Sequence, residues 1–235
     1  MLYYLFMKRV ALTISIILVL CSCANAQSEV DRGTTHDGTY INSGFGFSFK
    51  YPKDWVVHGD ATNERIREIG KEKIAESGAV SKSNMDVALN NTYQLLTIFR
   101  HELGTPGITF NPAIMIIAEK VAHAPGIKNG KDYLLNMRLV LPKAGPQILL
   151  DEPVERQFGG SQFFRDDYLV EINGARVFQA YFARLVNGYA LVFAFMGQDQ
   201  ASVDEMAKAM ESFALTPPLR RGVTTKIDPA RQRKP

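Results

Sequence analysis

The chain has 235 residues, of which 46% are hydrophobic and 22% are charged, the proportions of an ordinary folded protein rather than a disordered or fibrous one. Its net charge of +3 is concentrated at its ends, since 2 of its 27 basic residues precede residue 27 and 6 lie in the range 217–235 beside one acidic residue. The middle therefore holds 19 basic and 23 acidic residues, a charge of about −4 that argues against nucleic-acid binding, which requires a basic face.

The first 26 residues have the pattern of a signal peptide. Lys8 and Arg9 precede an apolar run at 10–20, and an Ala-Asn-Ala sequence ending at Ala26 is a cleavage site. The apolar run is shorter than the roughly 20 residues that a bilayer-spanning helix needs, so we expect no transmembrane span. Met7 is an alternative start to the first methionine. An extracytoplasmic protein is expected, periplasmic or secreted.

The two cysteines of the chain offer a second processing route. The sequence Leu-Cys-Ser-Cys ending at Cys23 resembles a bacterial lipobox in which Cys23 is lipidated, although cysteine is unusual at its second position. That route gives a membrane-tethered lipoprotein, whereas cleavage after Ala26 gives a soluble protein. Either route leaves no cysteine pair in the folded body, so neither a disulfide nor a thiolate metal cluster is expected.

Residues 27–37 are a polar spacer, and a single domain is expected at 38–216. Aromatic residues stand at every second position from Phe45 to Tyr51, which predicts a strand with one buried face. Pro52 ends this strand, and Trp55 is expected to cap the same core. Alternating aromatics at the start of a sheet are typical of a core rather than of a ligand platform.

The middle of the chain alternates between helical and strand patterns. Residues 61–76 predict a helix with Ile66, Ile69 and Ile74 on its apolar side, and 81–91 predict a further helical turn or two. A strand is expected at 95–100, a long loop at 101–111, a central strand covered on both faces at 114–118, and a helix at 130–141.

The second half predicts an antiparallel meander. Strands are expected at 147–150, 162–172, 176–185 and 189–196, and the last three are joined by Asn-Gly pairs at 173–174 and 187–188, which favour two-residue hairpins. A final helix follows, with Ser202 and Glu205 as a capping box. Its apolar stripe is Val203, Met206, Met210 and Phe213. The pattern as a whole predicts an α+β domain, a single antiparallel sheet with helices packed on its faces, followed by a basic disordered tail at 217–235.

Three stretches resemble the PsbP-like family, that of the extrinsic photosystem II protein and its bacterial relatives. They are the Gly-Phe-Gly-Phe-Ser-Phe run ending at Phe49 with the Tyr-Pro-Lys-Asp-Trp run ending at Trp55, the Asn-Gly meander, and the Glu-Ser-Phe sequence ending at Phe213. The resemblance covers about residues 38–216. It implies a PsbP-like fold and an accessory or binding role rather than catalysis, and it carries over no site residues.

The sequence contains neither a complete nucleophile elbow nor a Gly-rich phosphate loop. The nearest approach to a nucleophile elbow is Gly-Gly-Ser ending at Ser161, which lacks the closing glycine. Asp166 and Asp167 beside Arg165 are adjacent on a strand, so they should point to opposite faces, and we interpret them as part of a solvated sheet face.

The best candidates for metal ligands are His101 with Glu102, and Glu119 with His123. Such nitrogen and oxygen donors suit zinc or manganese. Their spacing matches no metal motif, so they are interpreted as solvent-facing residues, and no cofactor is expected.

We therefore expect a non-enzymatic, exported accessory or binding protein whose partner is a protein or another envelope component. The alternative is a small-ligand-binding or hydrolytic enzyme with a pocket beside the 104–111 loop, in which Arg100, His101 and Glu102 bind the ligand. A buried, polar-lined cavity holding Arg100 or His101 would favour this alternative, whereas an exposed patch would favour the first hypothesis. A third possibility is a structural module tethered through Cys23.

Overall fold

Alternating apolar residues form two antiparallel sheets in the part of the chain that the structure describes. The structure is a computed structural model, and it describes residues 30–66, 68, 91–140, 147–172 and 174–216. The strands in these ranges are β1 (Thr34–His36), β2 (Thr39–Asn42), β3 (Phe47–Lys50), β4 (Val56–His58), β5 (Thr92–Phe99), β6 (Ala113–Lys120), β7 (Gln147–Ile148), β8 (Val154–Phe158), β9 (Ser161–Ile172), β10 (Ala175–Val186), β11 (Tyr189–Gly197) and β12 (Ala214–Leu215). The helices are α1 (Gly130–Val140) and α2 (Gln200–Ala207), with a helical stretch at 60–66 and a 3-10 helix at Lys208–Ser212.

The larger sheet has the strand order β4-β5-β6-β11-β10-β9-β7. Strand β8 also pairs with β9, along the same edge as β7 but nearer to the beginning of β9. The predicted meander is confirmed, because β9, β10 and β11 are consecutive antiparallel neighbours. At the β10–β11 turn, Asn187 and Gly188 have φ angles of 50° and 80°, as a type I′ hairpin requires. The predicted central strand is β6, which lies between β5 and β11.

The expectation of a single sheet is wrong, because β1, β2, β3 and β12 form a second sheet of four strands. Strand β12 completes this sheet by pairing with β3, with Ala214 opposite Ser48. The pairing joins the two ends of the domain, and a two-residue strand has no sequence pattern of its own. The α+β class with antiparallel pairing holds for both sheets.

The larger sheet is the middle of three layers. On one face, Phe193 of β11 packs against Phe47 and Phe49 of β3, with ring centroids 5.6 and 5.3 Å apart. On the other face, Leu134 of α1 is wholly buried in a cluster with Val192 and neighbouring small residues. The predicted aromatic row of the first strand is therefore core, with Phe47 and Phe49 fully buried, while Tyr51 is half-buried at its end.

The last helix begins earlier than the sequence predicts. Asp199, not Ser202, is the N-cap, and its side chain accepts the backbone N–H of Ser202 at 2.7 Å. Ser202 occupies the third helical position of the capping box, where the predicted box had placed Glu205. The apolar stripe is confirmed at Val203, Met210 and Phe213, all of them buried.

Several predictions lie wholly or partly outside the described residues. They are the signal peptide with Cys23 and Ala26, the helix beyond residue 68, the segment 81–90, the end of the helix at Leu141 and the tail from 217 onward. Among the described helices, none has the length and apolar character needed to cross a membrane.

Candidate functional site

An open cleft of about 470 Å³ lies beside α2, between the β3–β4 connection and the start of β6. Its volume falls in the range of about 300–1,000 Å³ that is typical of small-molecule sites. The lining residues are Lys50, Tyr51, Pro52, Trp55, Arg100, Pro112, Ile114, Ser202, Glu205, Met206, Ala209 and Ser212. These residues come from four separate segments of the chain, so the cleft exists only in the folded domain.

The lining is largely apolar and includes two aromatic side chains. Pro52 ends β3 because proline has no N–H for the ladder, and the chain turns so that the N–H of Trp55 donates to the carbonyl of Pro52 at 3.1 Å. Trp55, the only tryptophan of the chain, is thereby held half-buried at the cleft. Met206 of α2 and the wholly buried Ile114 of β6 complete the apolar part.

Two cationic side chains border the cleft. Lys50 ends β3, and Arg100 follows β5, where its backbone N–H donates to the carbonyl of Pro112 at 3.0 Å. Within the described part of the chain neither side chain forms an ion pair. The one acidic residue of the lining, Glu205, is ion-paired with Lys208, which raises the pKa of that lysine. The cleft therefore offers two positive charges that are free to meet an anion.

The two serine hydroxyls of the cleft donate hydrogen bonds to backbone carbonyls. Ser202 Oγ donates to the carbonyl of Asp199 at 2.8 Å, and Ser212 Oγ donates to the carbonyl of Ala209 at 2.6 Å. No histidine is among the lining residues of this cleft. A nucleophilic serine needs a base within hydrogen-bonding reach, so the described arrangement favours binding over acyl transfer.

Ser161, which approached a nucleophile motif in the sequence, lies away from the cleft. It begins β9, is buried, and its hydroxyl accepts a hydrogen bond from Nη1 of Arg184 at 2.7 Å. The strand–turn–helix setting of a nucleophile elbow is absent here, because the preceding glycines join β8 to β9. Ser161 is thus a structural residue.

Of the three predicted ligand-binding residues, Arg100 lines the cleft while His101 and Glu102 do not. The alternative hypothesis predicts a pocket beside the 104–111 loop. The observed cleft is lined by Arg100 and Pro112, which flank the 101–111 loop on either side. Asn111 closes the loop by donating to the carbonyl of His101 at 2.7 Å and accepting its N–H at 3.0 Å. The other cleft residues carry no sequence signal, since they are ordinary polar and apolar positions that only the fold brings together.

The predicted metal candidates Glu119 and His123 have different surroundings. The carboxylate of Glu119 accepts the hydroxyl proton of Tyr133 at 2.7 Å, and burial raises the pKa of Glu119. His123 is exposed in the following turn. Among the described residues, no group of three or more His, Cys, Asp and Glu side chains is arranged to hold a metal ion. Glu119 is explained by its bond to Tyr133 of α1.

The interpretation of Asp166 and Asp167 as part of a solvated face is wrong, because both are buried. They do point to opposite faces, as predicted. Asp166 meets Arg138 of α1, whereas Asp167 is held by Arg165 with Nε–Oδ1 at 2.7 Å, and Arg165 also contacts Asp204 of α2. Sequence reasoning missed Arg138, and the available signal was an arginine between the apolar residues Met137 and Leu139 of the helix.

Comparisons with known proteins add a likeness of fold. The structure is similar to cyanobacterial PsbP (CyanoP) from Synechocystis sp. PCC 6803, at 13% identity over 78% of this chain and 95% of that chain, with a TM-score of 0.45. It is also similar to LpqN of Mycobacterium tuberculosis, described as involved in cell envelope biogenesis, at 13% identity over 73% of this chain and 83% of that chain, with a TM-score of 0.40. No family model and no curated protein matches the chain. The function proposed for the chain therefore comes from the chemistry of the cleft.

Proposed function

We propose that the protein is an exported, non-enzymatic binding protein of the bacterial envelope with a PsbP-like domain, and that it binds its target in the cleft beside Trp55. The observation that carries the proposal is an apolar cleft bordered by Lys50 and Arg100, whose serine hydroxyls are engaged by backbone carbonyls. Such a surface supplies contact area and charge without a nucleophile or a base. The signal-peptide pattern before residue 27 supports the extracytoplasmic location.

The residues that a hydrolytic enzyme would need do not meet in this cleft. His101, the histidine proposed for it, does not line the cleft, and Ser202 and Ser212 donate to backbone carbonyls. The small-ligand part of that alternative survives, because Arg100 lies in a cleft of suitable volume. We therefore retain ligand binding and leave hydrolysis aside.

The mature form of the protein follows one of two routes in this proposal. Cleavage after Ala26 releases a soluble protein, and lipidation of Cys23 tethers it to a membrane. An intact mass measured on protein from its bacterial host separates the two, since the lipidated form carries diacylglyceryl and acyl mass at Cys23. A full-length mass would contradict export.

Photocrosslinking in the host tests the binding function. A photoreactive benzophenone amino acid placed at Glu205 lies in the cleft, and the same amino acid at Glu171, an exposed position on β9, is the matched control. We expect adducts, resolved by mass spectrometry, from position 205 and few from position 171. Equal labelling at the two positions, or none at either, would contradict the proposal.

A further inference from the structure

The charged side chains of the cleft indicate the charge of the ligand that it can bind. Its lining carries two positive side chains, Lys50 and Arg100, and one negative side chain, Glu205. Because Glu205 is already paired with Lys208, the lining leaves two positive charges, which complement an anionic head group. A guanidinium group holds a carboxylate or a phosphate through two parallel hydrogen bonds, and a lysine adds a point charge.

The rest of the lining suits a flexible apolar chain. Tyr51, Trp55 and Met206 supply aromatic and aliphatic surface, and methionine adapts readily to irregular apolar shapes. A fully polar ligand such as a sugar would leave these groups unused. A large partner protein is also less suited, because the cleft has the volume of a small-molecule site.

Resting on the proposed binding function, we infer that the ligand is a single-chain amphiphile with an anionic head group, a carboxylate or a phosphate, with its chain against Trp55 and Met206 and its head group at Arg100 and Lys50. The protein then acts as a carrier or sensor of anionic single-chain amphiphiles. Lys50 is the last residue of β3 and Arg100 directly follows β5, so the two sheets position the backbones of both cations at the cleft.

Trp55 provides the assay, because it is the only tryptophan of the chain and it lines the cleft. Its fluorescence is followed during titration with dodecanoate, dodecyl phosphate and dodecyltrimethylammonium, each below its critical micelle concentration, and with dodecanol below its solubility limit. We expect saturable binding of dodecanoate and of dodecyl phosphate, weaker binding of the alcohol, and none of the cation, and the relative affinities of the two anions identify the preferred head group. Arg100→Gln should weaken dodecanoate binding about tenfold, the loss expected from one charge-assisted hydrogen bond, and Lys50→Gln somewhat less.

The matched control is Lys120→Gln, an exposed lysine at the far end of β6 from Ile114, which should bind dodecanoate like the wild type. Equal binding of the cation or the alcohol would overturn the inference of an anionic head group and leave a cleft that binds other amphiphiles. No binding of any probe, with adducts still formed at position 205 in the host, would overturn the inference and leave the binding function standing. Failure of both experiments would remove both proposals.

Discussion

Arg138 and Asp166 form a two-point ion pair between α1 and β9, with Nε–Oδ2 at 2.7 Å and Nη2–Oδ1 at 2.6 Å. The side chain of Asp166 is 0% exposed and that of Arg138 is 13% exposed. Tyr168 donates its hydroxyl proton to the same carboxylate at 2.6 Å, and Arg138 also donates to the carbonyls of Leu150 and Asp151. Because each charge is fully satisfied, the pair fixes α1 on the sheet.

Loss of Arg138 should be severe. Arg138→Met leaves the carboxylate of Asp166 buried without a cation, and breaking a buried pair from one side costs about 3–5 kcal/mol. The free energy of unfolding, measured by urea denaturation, should fall by that amount. Combining Arg138→Met with Asp166→Leu removes both charges and should recover much of the loss. A single variant within about 1 kcal/mol of the wild type would show that the pair does not anchor α1.

Gly130, the first residue of α1, should tolerate no side chain. A Cβ at this position would overlap the carbonyl oxygen of Ala183 on β10. Gly130→Ala should therefore lower the free energy of unfolding by about 1–3 kcal/mol, the usual cost of overpacking. Gly126→Ala is the matched control, since its Cβ would meet no atom within 4 Å and its φ is not positive. Equal effects of the two substitutions in urea denaturation would contradict the close approach of α1 to β10.

Because of Glu119, the free energy of unfolding should decrease as the pH rises above the ordinary pKa of a glutamate side chain. Burial raises the pKa of Glu119, and the bond from Tyr133 and the charge of His123 offset this only in part. The folded state therefore binds a proton more tightly than the unfolded state, so stability decreases as the pH rises from about 4.3 through the raised pKa. Glu119→Gln should be more stable than the wild type at neutral pH.

The measurement for Glu119 is urea denaturation across that pH range. The advantage of Glu119→Gln should vanish at the acidic end, where Glu119 is protonated in both states. Glu171→Gln, at an exposed position on β9, is the control and should change stability little. A neutral-pH loss in Glu119→Gln would mean that the ionised carboxylate stabilises the contact with Tyr133.

The ionised side chain of Asp199 should stabilise α2, and protonation of this side chain in acid should remove the stabilisation. Its carboxylate accepts the N–H of Ser202, which lowers the pKa of Asp199. This stabilisation is present above the ordinary aspartate pKa of about 3.9 and is lost as the pH falls through the lowered value. Asp199→Ala should lower the melting temperature at neutral pH, and the difference should shrink in acid. Asp199→Asn, which also caps helices, should retain most of the stability. A difference that is independent of pH would argue against the carboxylate cap.

The parts of the fold predicted from the sequence are those with local signals. The meander follows from Asn-Gly turns between alternating strands, and β3 follows from its aromatic spacing. β8 was missed because Val-Glu-Arg-Gln-Phe is polar and exposed, and only its pairing with β9 makes it a strand. β12 was missed because two residues are too few for a periodic pattern.

The same distinction applies to the cleft. Arg100 was predicted because a cation beside a loop is visible in the sequence, whereas Trp55 and Met206 were interpreted only as core residues. Their shared position depends on how α2 lies against the β3–β4 connection, which no local pattern encodes. The burial of Asp166 was likewise not predictable without its partner Arg138, which lies on another element.

The opposite directions of Asp166 and Asp167 have a consequence for the alignment of β9. A slip by one residue turns every side chain of a strand to the other face. Here it would place the carboxylate that serves Arg138 in the layer of α2, and the carboxylate that serves Arg165 in the layer of α1. Two neighbouring acids therefore encode the position of the strand through charge, in addition to its apolar pattern. Inserting or deleting one residue ahead of this pair in β9 should prevent folding, whereas similar changes in the exposed 101–111 loop should be accommodated.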